Sequence, residues 1–177
     1  MAEKKELDLQ LKDDFLNEEE FKIIWSNLNH ISFNFRDKGG NVTDGFRHFF
    51  TPDDTNKWLF EKIKKNFFPR KKLNPKICAY HLRWNKKDKM IHRDDDMDYN
   101  FILYLKGKEI LYNGTGFFDD KQLDGANFTG NALVGFKHNR ALFFNGRDVL
   151  HSDLQAFGES SFRYTVNIFY KYNGEKI

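Results

Sequence analysis

Residues 89–107 read KMIHRDDDMDYNFILYLKG. One histidine, His92, stands among Asp94, Asp95, Asp96 and Asp98, and an apolar, strand-like run follows at once. Three chemistries suit such a segment: a solvated turn, a calcium loop, or part of a transition-metal site. For calcium, Asp94, Asp96 and Asp98 fall at positions 1, 3 and 5 of a helix–loop–helix site. Position 6, which needs glycine, is then Tyr99, and position 12, which needs glutamate, is Leu105. The segment also runs into a strand pattern and not a second helix, so calcium is excluded. Residues i and i+2 of an extended chain point to the same side. His92 and Asp94 can therefore face one ion, but a firm site needs a third ligand from elsewhere in the chain.

Working outward, short β-branched and aromatic runs recur from Lys76 onward: KICAYHLRW, YNFILYLKG, GTGFF, ALVGF, RALFFNG and FRYTVNIFYKY. Gly, Asn and Asp separate them, the pattern of an antiparallel sandwich or barrel. No long helical pattern interrupts them, which argues against a doubly wound parallel sheet. The first 75 residues read mainly as helical support and loop. Asn17 is an N-cap candidate ahead of an apolar stripe of Phe21, Ile24, Trp25 and Leu28, with Phe15 closing the entry turn. Thr51 is expected to cap a second helix, with Pro52 in its first turn and Trp58, Leu59, Ile63 and Phe67 as the apolar stripe. Between them, HISFNFR (30–36) alternates like a strand and DKGGNVTDG (37–45) reads as a loop.

Composition bounds the rest. A chain of 177 residues suits one domain, here 1–177, with residues 76–172 as its β core. The charged start predicts no signal peptide, and no stretch approaches the roughly 20 apolar residues of a membrane span. The single cysteine, Cys78, excludes an intramolecular disulfide and fits a reducing, cytoplasmic setting. The sequons at Asn41, Asn113 and Asn127 are then incidental. A net charge of +3 does not argue for nucleic acid. The basic stretch EKIKKNFFPRKKLNPK (61–76) reads foremost as a solvated helix face and loop, although it could dock an acidic partner or a phosphate backbone. Twenty phenylalanines predict a core rich in aromatic rings.

Among the six histidines, His30 and His48 lie near the helices and the glycine loop, and His138 in a polar turn. His81 shares a strand with Arg83, a poor neighbour for a cation. His151 follows an apolar run and a turn and precedes the terminal strand. There Arg163, Thr165 and Asn167 line one face, while Phe162, Tyr164, Val166, Ile168 and Tyr170 line the other. A polar face of this kind suits water or an internal ligand, with Arg163 forking onto a carboxylate.

With His92-Arg93-Asp94, a distal His151, and Arg163 and Thr165 beyond it, the chain resembles the iron(II)- and 2-oxoglutarate-dependent oxygenases, most closely their prolyl-hydroxylase-like branch. AYHLRWN, FILYLKG and NRALFFNGRDVLHS resemble that family's strands, and FLNEEEFKII its first helix. The resemblance spans roughly Phe15 to Tyr172. It implies a mainly β (α+β) fold, a double-stranded β-helix or jelly roll with supporting N-terminal helices. It implies a metal triad of His92, Asp94 and His151, with iron(II), 2-oxoglutarate and dioxygen as cofactor and cosubstrates and ascorbate as a candidate reductant. Arg163 would take the far carboxylate of 2-oxoglutarate, helped by Thr165 and by Tyr80 or Tyr104. Trp84 and Arg83 would line the substrate entrance, with His81 a further candidate there. The intact Asp94 favours hydroxylation over halogenation, on a peptide, protein or small molecule. The stretch from Asn113 to Asn131 is shorter than the family's lids, which leaves the substrate class open. The competing expectation is a cupin-like or non-catalytic metal-binding β-sandwich without 2-oxoglutarate turnover.

Overall fold

The computed structural model describes residues 7–36, 42–83, 91–118, 130–156 and 162–173. Among these described residues, ten strands form two antiparallel sheets. In chain order they are β1 (Leu9–Lys12), β2 (Asn34–Arg36), β3 (Val42–Phe49), β4 (Leu73–Arg83), β5 (Tyr99–Gly107), β6 (Thr115–Phe118), β7 (Gly130–Val134), β8 (Ala141–Phe144), β9 (Leu150–Asp153) and β10 (Arg163–Tyr172). The larger sheet runs β1-β8-β5-β10-β4-β3-β2, and the smaller runs β7-β6-β9. This is the jelly roll expected from the strand spacing.

The alternation of β10 decides which way the larger sheet faces. Val166, Ile168 and Tyr170 are buried against helices α1 (Glu18–Asn29) and α2 (Lys57–Phe67), together with Phe101, Leu103, Phe143 and Tyr80. Phe15, Phe67 and Phe68 from the helical layer meet Phe101 and Phe143 at ring separations of 5.1–5.8 Å. Each such ring pair adds about 0.5–1.5 kcal/mol beyond simple burial. The opposite face carries Arg163, Thr165 and Asn167, with His81, Tyr104, Ile102 and Leu142 on neighbouring strands. A second cluster of Tyr104, Phe117, Val134, Phe136, Leu142 and Phe144 joins the two sheets.

Helix α1 begins as its sequence predicts. The Asn17 side chain accepts from Glu20 N at 2.9 Å and Glu20 returns a bond to Asn17 N at 2.8 Å, a complete capping box. Helix α2 begins later than expected. Its N-cap is Asn56, not Thr51, and Thr51 and Pro52 precede a turn. Asp53 is the reason. Its short carboxylate takes the backbone N–H groups of Thr55 and Asn56 at 2.9 and 3.2 Å, which holds a turn and postpones the helix.

Residues 42–45, expected in a loop, belong to β3. The β-branched Val42 and Thr43 extend a strand whose later residues pair Arg47 with His81 and Phe49 with Ala79. The preceding strand is limited to Asn34–Arg36. The first 75 residues thus supply three strands as well as both helices, and β1 pairs with β8 at the edge of the larger sheet. The basic stretch is engaged within the fold at two points. Lys62 lies 2.5 Å from Glu20, and Lys71 lies 3.0 Å from Asp8 and over the Tyr99 ring. Among the described residues no helix is long and apolar enough to cross a membrane.

Candidate metal centre

His92 lies outside the named strands, yet it pairs with β9 through one isolated bridge. His92 N donates to His151 O at 3.0 Å, and His151 N donates to His92 O at 2.9 Å. This pairing places two histidines 59 residues apart directly opposite one another, with ring centroids 4.6 Å apart. Asp94 Oδ2 lies 3.1 Å from His151 Nε2, and Asp94 Oδ1 lies 3.6 Å from His92 Nε2. The three candidate ligand atoms all fall within 4.8 Å of one another. A face of two imidazoles and one carboxylate that leaves positions open suits iron(II).

The surroundings orient these ligands. His151 Nδ1 lies 3.2 Å from the Val149 carbonyl, which would accept the ring proton from Nδ1 when Nε2 holds a metal. Asp94 N donates to Gly146 O at 3.0 Å, and the Asn100 amide donates to the Asp94 carboxylate. Burial disfavours charge on Asp94, but His151, Asn100 and His92 outweigh it and hold the carboxyl below its ordinary range. Gly146 makes room for this arrangement, since a Cβ there would stand 2.5 Å from Asn100 Nδ2. Asp95 and Asp96 are exposed, as expected of a turn. Asp98 is buried and takes Tyr172 N at 2.9 Å and Arg147 Nη1 at 3.2 Å, so it anchors the turn to β10.

His92 opens onto a cavity of about 730 Å³ between this turn and the exposed wing of the larger sheet. Phe49, Ile77, Met97 and Phe169 give it apolar walls, and charged groups from Arg47, Lys76, Arg83, Arg93 and Asp94 to Asp96 line the rest.

Deeper in the sandwich, Arg163 is 6% exposed. Its Nη1 donates to the carbonyls of Asn113 and Gly114 at 2.5 and 2.7 Å, and its Nη2 lies 3.0 Å from Asp153 Oδ2. Arg83 also pairs with Asp153. Burial opposes charge on Asp153, but Arg163 and Arg83 outweigh it and keep the carboxyl below its usual range. The Tyr104 hydroxyl shares a 2.7 Å bond with Thr115 Oγ1, and burial pushes its pKa up to about 12, so it stays a neutral phenol. Thr165 is buried beside it, with Tyr104 as its cross-strand neighbour. Three buried polar atoms of this face have no protein partner: Arg163 Nε, Asn167 Oδ1 and Asn100 Oδ1. Unsatisfied buried groups are costly; an anionic ligand lying along β10 would accept from Arg163 Nε, whereas the two amide oxygens call for a donor such as a hydroxyl.

Not every expected residue joins this site. Tyr80 lies on the opposite, helix-packed face, its ring 5.0 Å from Phe50, so strand alternation turns it away from Arg163. Arg83 is engaged with Asp153 as well as bordering the cavity. Trp84 lies outside the described residues, as do residues 119–129 of the short lid-like stretch and the sequons at Asn41 and Asn127. Asn113, the remaining sequon, is fully buried and its carbonyl holds Arg163. Sequence reasoning missed Asp153, Asn100 and Gly146. Asp153 carried a readable signal, since it stands two residues beyond His151 just as Asp94 stands two beyond His92.

Comparison with solved structures agrees with this architecture. HygX of Streptomyces hygroscopicus, solved with nickel and 2-oxoglutarate bound, matches with a TM-score of 0.65 at 10% identity, over 92% of this chain and 82% of that one. The viral collagen prolyl hydroxylase of Paramecium bursaria Chlorella virus-1, as a 2-oxoglutarate complex, matches with a TM-score of 0.59 at 16% identity, over 94% and 96%. A prolyl hydroxylase of Trichoplax adhaerens, in complex with a hypoxia-inducible-factor peptide fragment, matches with a TM-score of 0.60 at 11% identity, over 92% and 82%. No protein-family model matches the sequence, and neither does any curated protein sequence. The chain has the fold of the 2-oxoglutarate–iron(II) oxygenases.

Proposed function

We propose that this protein is an iron(II)- and 2-oxoglutarate-dependent dioxygenase that hydroxylates an unactivated C–H bond. The observation that carries the proposal is the convergence of His92, Asp94 and His151 beside a cavity with apolar walls, on this fold. The donor set fits iron(II): two imidazole nitrogens and one carboxylate whose pKa lies below its ordinary value. The face behind it fits a 2-oxo diacid, because the Arg163 Nε donor is buried there without a protein partner. When bound, iron(II) and 2-oxoglutarate supply the chemistry, in which one atom of dioxygen enters the substrate C–H bond while the other leaves in succinate, with loss of carbon dioxide.

The chain contributes positioning and exclusion. His92, Asp94 and His151 would hold the metal on one side and leave its other positions open. Asn100 and the Val149 carbonyl fix two of those ligands. Arg163 would anchor the distal carboxylate, with Thr165 and the neutral Tyr104 hydroxyl beside it. The apolar cavity walls would place an aliphatic C–H bond against the open face and keep bulk water off it. An intact Asp94 supports hydroxylation over halide transfer. The prolyl hydroxylases among the similar structures support a prolyl residue in a peptide or protein as the substrate.

The test is anaerobic addition of iron(II) and 2-oxoglutarate, followed by visible spectroscopy for the charge-transfer band of a chelated 2-oxo acid. Succinate release is then measured in air with ascorbate as reductant. The band is expected in the wild-type protein and absent in His151→Ala. Arg163→Ala should weaken 2-oxoglutarate far more than iron. A folded, iron-loaded protein with no band would favour a cupin-like metal site instead.

A further inference from the structure

The cavity beside the metal centre ends at a lysine rim that the chemistry of hydroxylation does not use. A bulge in the β4–β10 ladder makes part of it. Ile77 pairs with Phe169 and Pro75 with Tyr170, so Lys76 is the extra residue of β4. Bulges re-aim side chains, and here Lys76 and Ile77 are both exposed and both line the cavity. On β10, the face that carries Arg163 in the interior reaches Phe169 at the cavity and then Lys171, opposite Asn74. One step further, Asn173 N donates to Lys72 O at 2.9 Å, which sets Lys72 on the same face, two residues from Asn74. Lys72, Lys76 and Lys171 are exposed. Lys62 and Lys71 of the basic stretch are paired with Glu20 and Asp8, whereas these three have no acid partner among the described residues.

The rim is extended and one-sided. Lys72 and Lys76 stand roughly 10–13 Å apart along β4, the length of three or four residues of an extended peptide. On the other wall, the turn that carries Asp94 presents Asp95 and Asp96 to solvent, while Arg93 turns toward the Asp148 carbonyl. A nucleic-acid strand, charged at every phosphate, would be repelled by that wall. A peptide is charged only where its acidic side chains stand. It can set carboxylates on the lysines and leave an uncharged residue between the two walls, toward His92.

Resting on the preceding function, we propose that the substrate is a peptide segment with acidic residues within three or four positions of the one hydroxylated, docked by Lys72, Lys76 and Lys171. The lysines select and orient the segment and take no part in the reaction at the metal.

The test uses three fluorescein-labelled peptides of one length that share a central proline and differ only in its flanks, which are glutamate, glutamine or lysine. Binding is read anaerobically by anisotropy, on the protein without metal and loaded with iron(II) and 2-oxoglutarate, beside a labelled single-stranded oligothymidylate. An exposed charge pair is worth about two- to fivefold in affinity, so the glutamate peptide should bind about tenfold more tightly than the glutamine peptide. The preference should shrink as salt rises from about 50 to 500 mM. Lys72→Gln/Lys76→Gln/Lys171→Gln should abolish it, while Lys22→Gln, an exposed position of α1 beside Glu18, should change it by less than about twofold. Equal affinity for the glutamate and glutamine peptides, a preference that survives the triple change, or tighter binding of the oligothymidylate would overturn the proposal. The charge-transfer band separates the two readings. A protein that shows the band but no preference for the glutamate peptide refutes the docking and leaves the dioxygenase function standing. Lysine-dependent binding by an iron-loaded protein without the band refutes that function and supports the rim as a peptide-docking surface.

Discussion

Gly146→Ala should cost iron affinity although residue 146 offers no ligand atom. A Cβ built there meets Asn100 Nδ2 at 2.5 Å, Cγ at 2.7 Å and Oδ1 at 2.9 Å. Ordinary contact begins at 3.4 Å, so the amide must retreat by 3.4 − 2.5 = 0.9 Å. Asn100 is only 3% exposed and has little room to move. A retreat on that scale stretches and weakens its hydrogen bond to Asp94. A hydrogen bond to a charged group contributes about 1.5–3 kcal/mol, equivalent to roughly 10–150-fold in affinity. Loss of an outer contact that orients a metal ligand typically costs about 10–100-fold, which agrees. The assay is anaerobic competition for iron(II) against a coloured chelator, with thermal melting as the control for folding. Asn100→Ala removes donor and obstacle together, so adding Gly146→Ala to it should cost less than about 0.5 kcal/mol more. Wild-type iron affinity in a folded Gly146→Ala protein, or full additivity of the two changes, would refute the reasoning.

Other perturbations test the fold and the charges around it. Phe143→Ala empties the centre of the cluster formed with Phe67, Phe68 and Tyr99. It should destabilise the protein by about 3–5 kcal/mol in a denaturant titration. Asp13 accepts from Arg140 Nε at 2.6 Å and lies 2.9 Å from Lys137; these partners lower its pKa to about 2 from 3.8. A depressed carboxylate stabilises the fold above its unfolded pKa and loses that contribution as pH falls from 3.8 toward 2. Asp13 is partly exposed, so Asp13→Asn should lower Tm by about 2–4 °C at pH 7, with the difference closing by acid pH. Burial pushes the Cys78 thiol up to about 12, so a neutral alkylating reagent at pH 8 should modify it only after unfolding, as read by intact mass.

Much of the site was legible in the sequence because it rests on period and spacing. His92 and Asp94 share a side through the i, i+2 rule, and the alternation of β10 separated Arg163, Thr165 and Asn167 from the helix-packed Val166, Ile168 and Tyr170. Asn17 announced α1, because an N-cap bonds to its neighbours in sequence, and the structure adds Glu20 to complete the capping box. Local competition hid the start of α2, where Asp53 gathers donors that a helix cap would otherwise take. Which tyrosine meets the polar face was also undetermined. Tyr80 and Tyr104 look alike in sequence, but strand register sends one toward Phe50 and the other toward Thr115.

The sequence alone determined that His92 and Asp94 share a side, the strand-rich class and the polar face of the last strand. These follow from side-chain chemistry and short-range geometry. Only the tertiary structure decided that His92 pairs with His151, that Gly146 leaves space for Asn100, and that Arg83 and Arg163 share Asp153. Each of those depends on segments roughly 45–80 residues apart being brought together, and no local preference encodes such a distance. The charge of the interior belongs to that second category. A buried arginine takes its meaning from the carboxylates packed against it, and packing brings them together from separate strands.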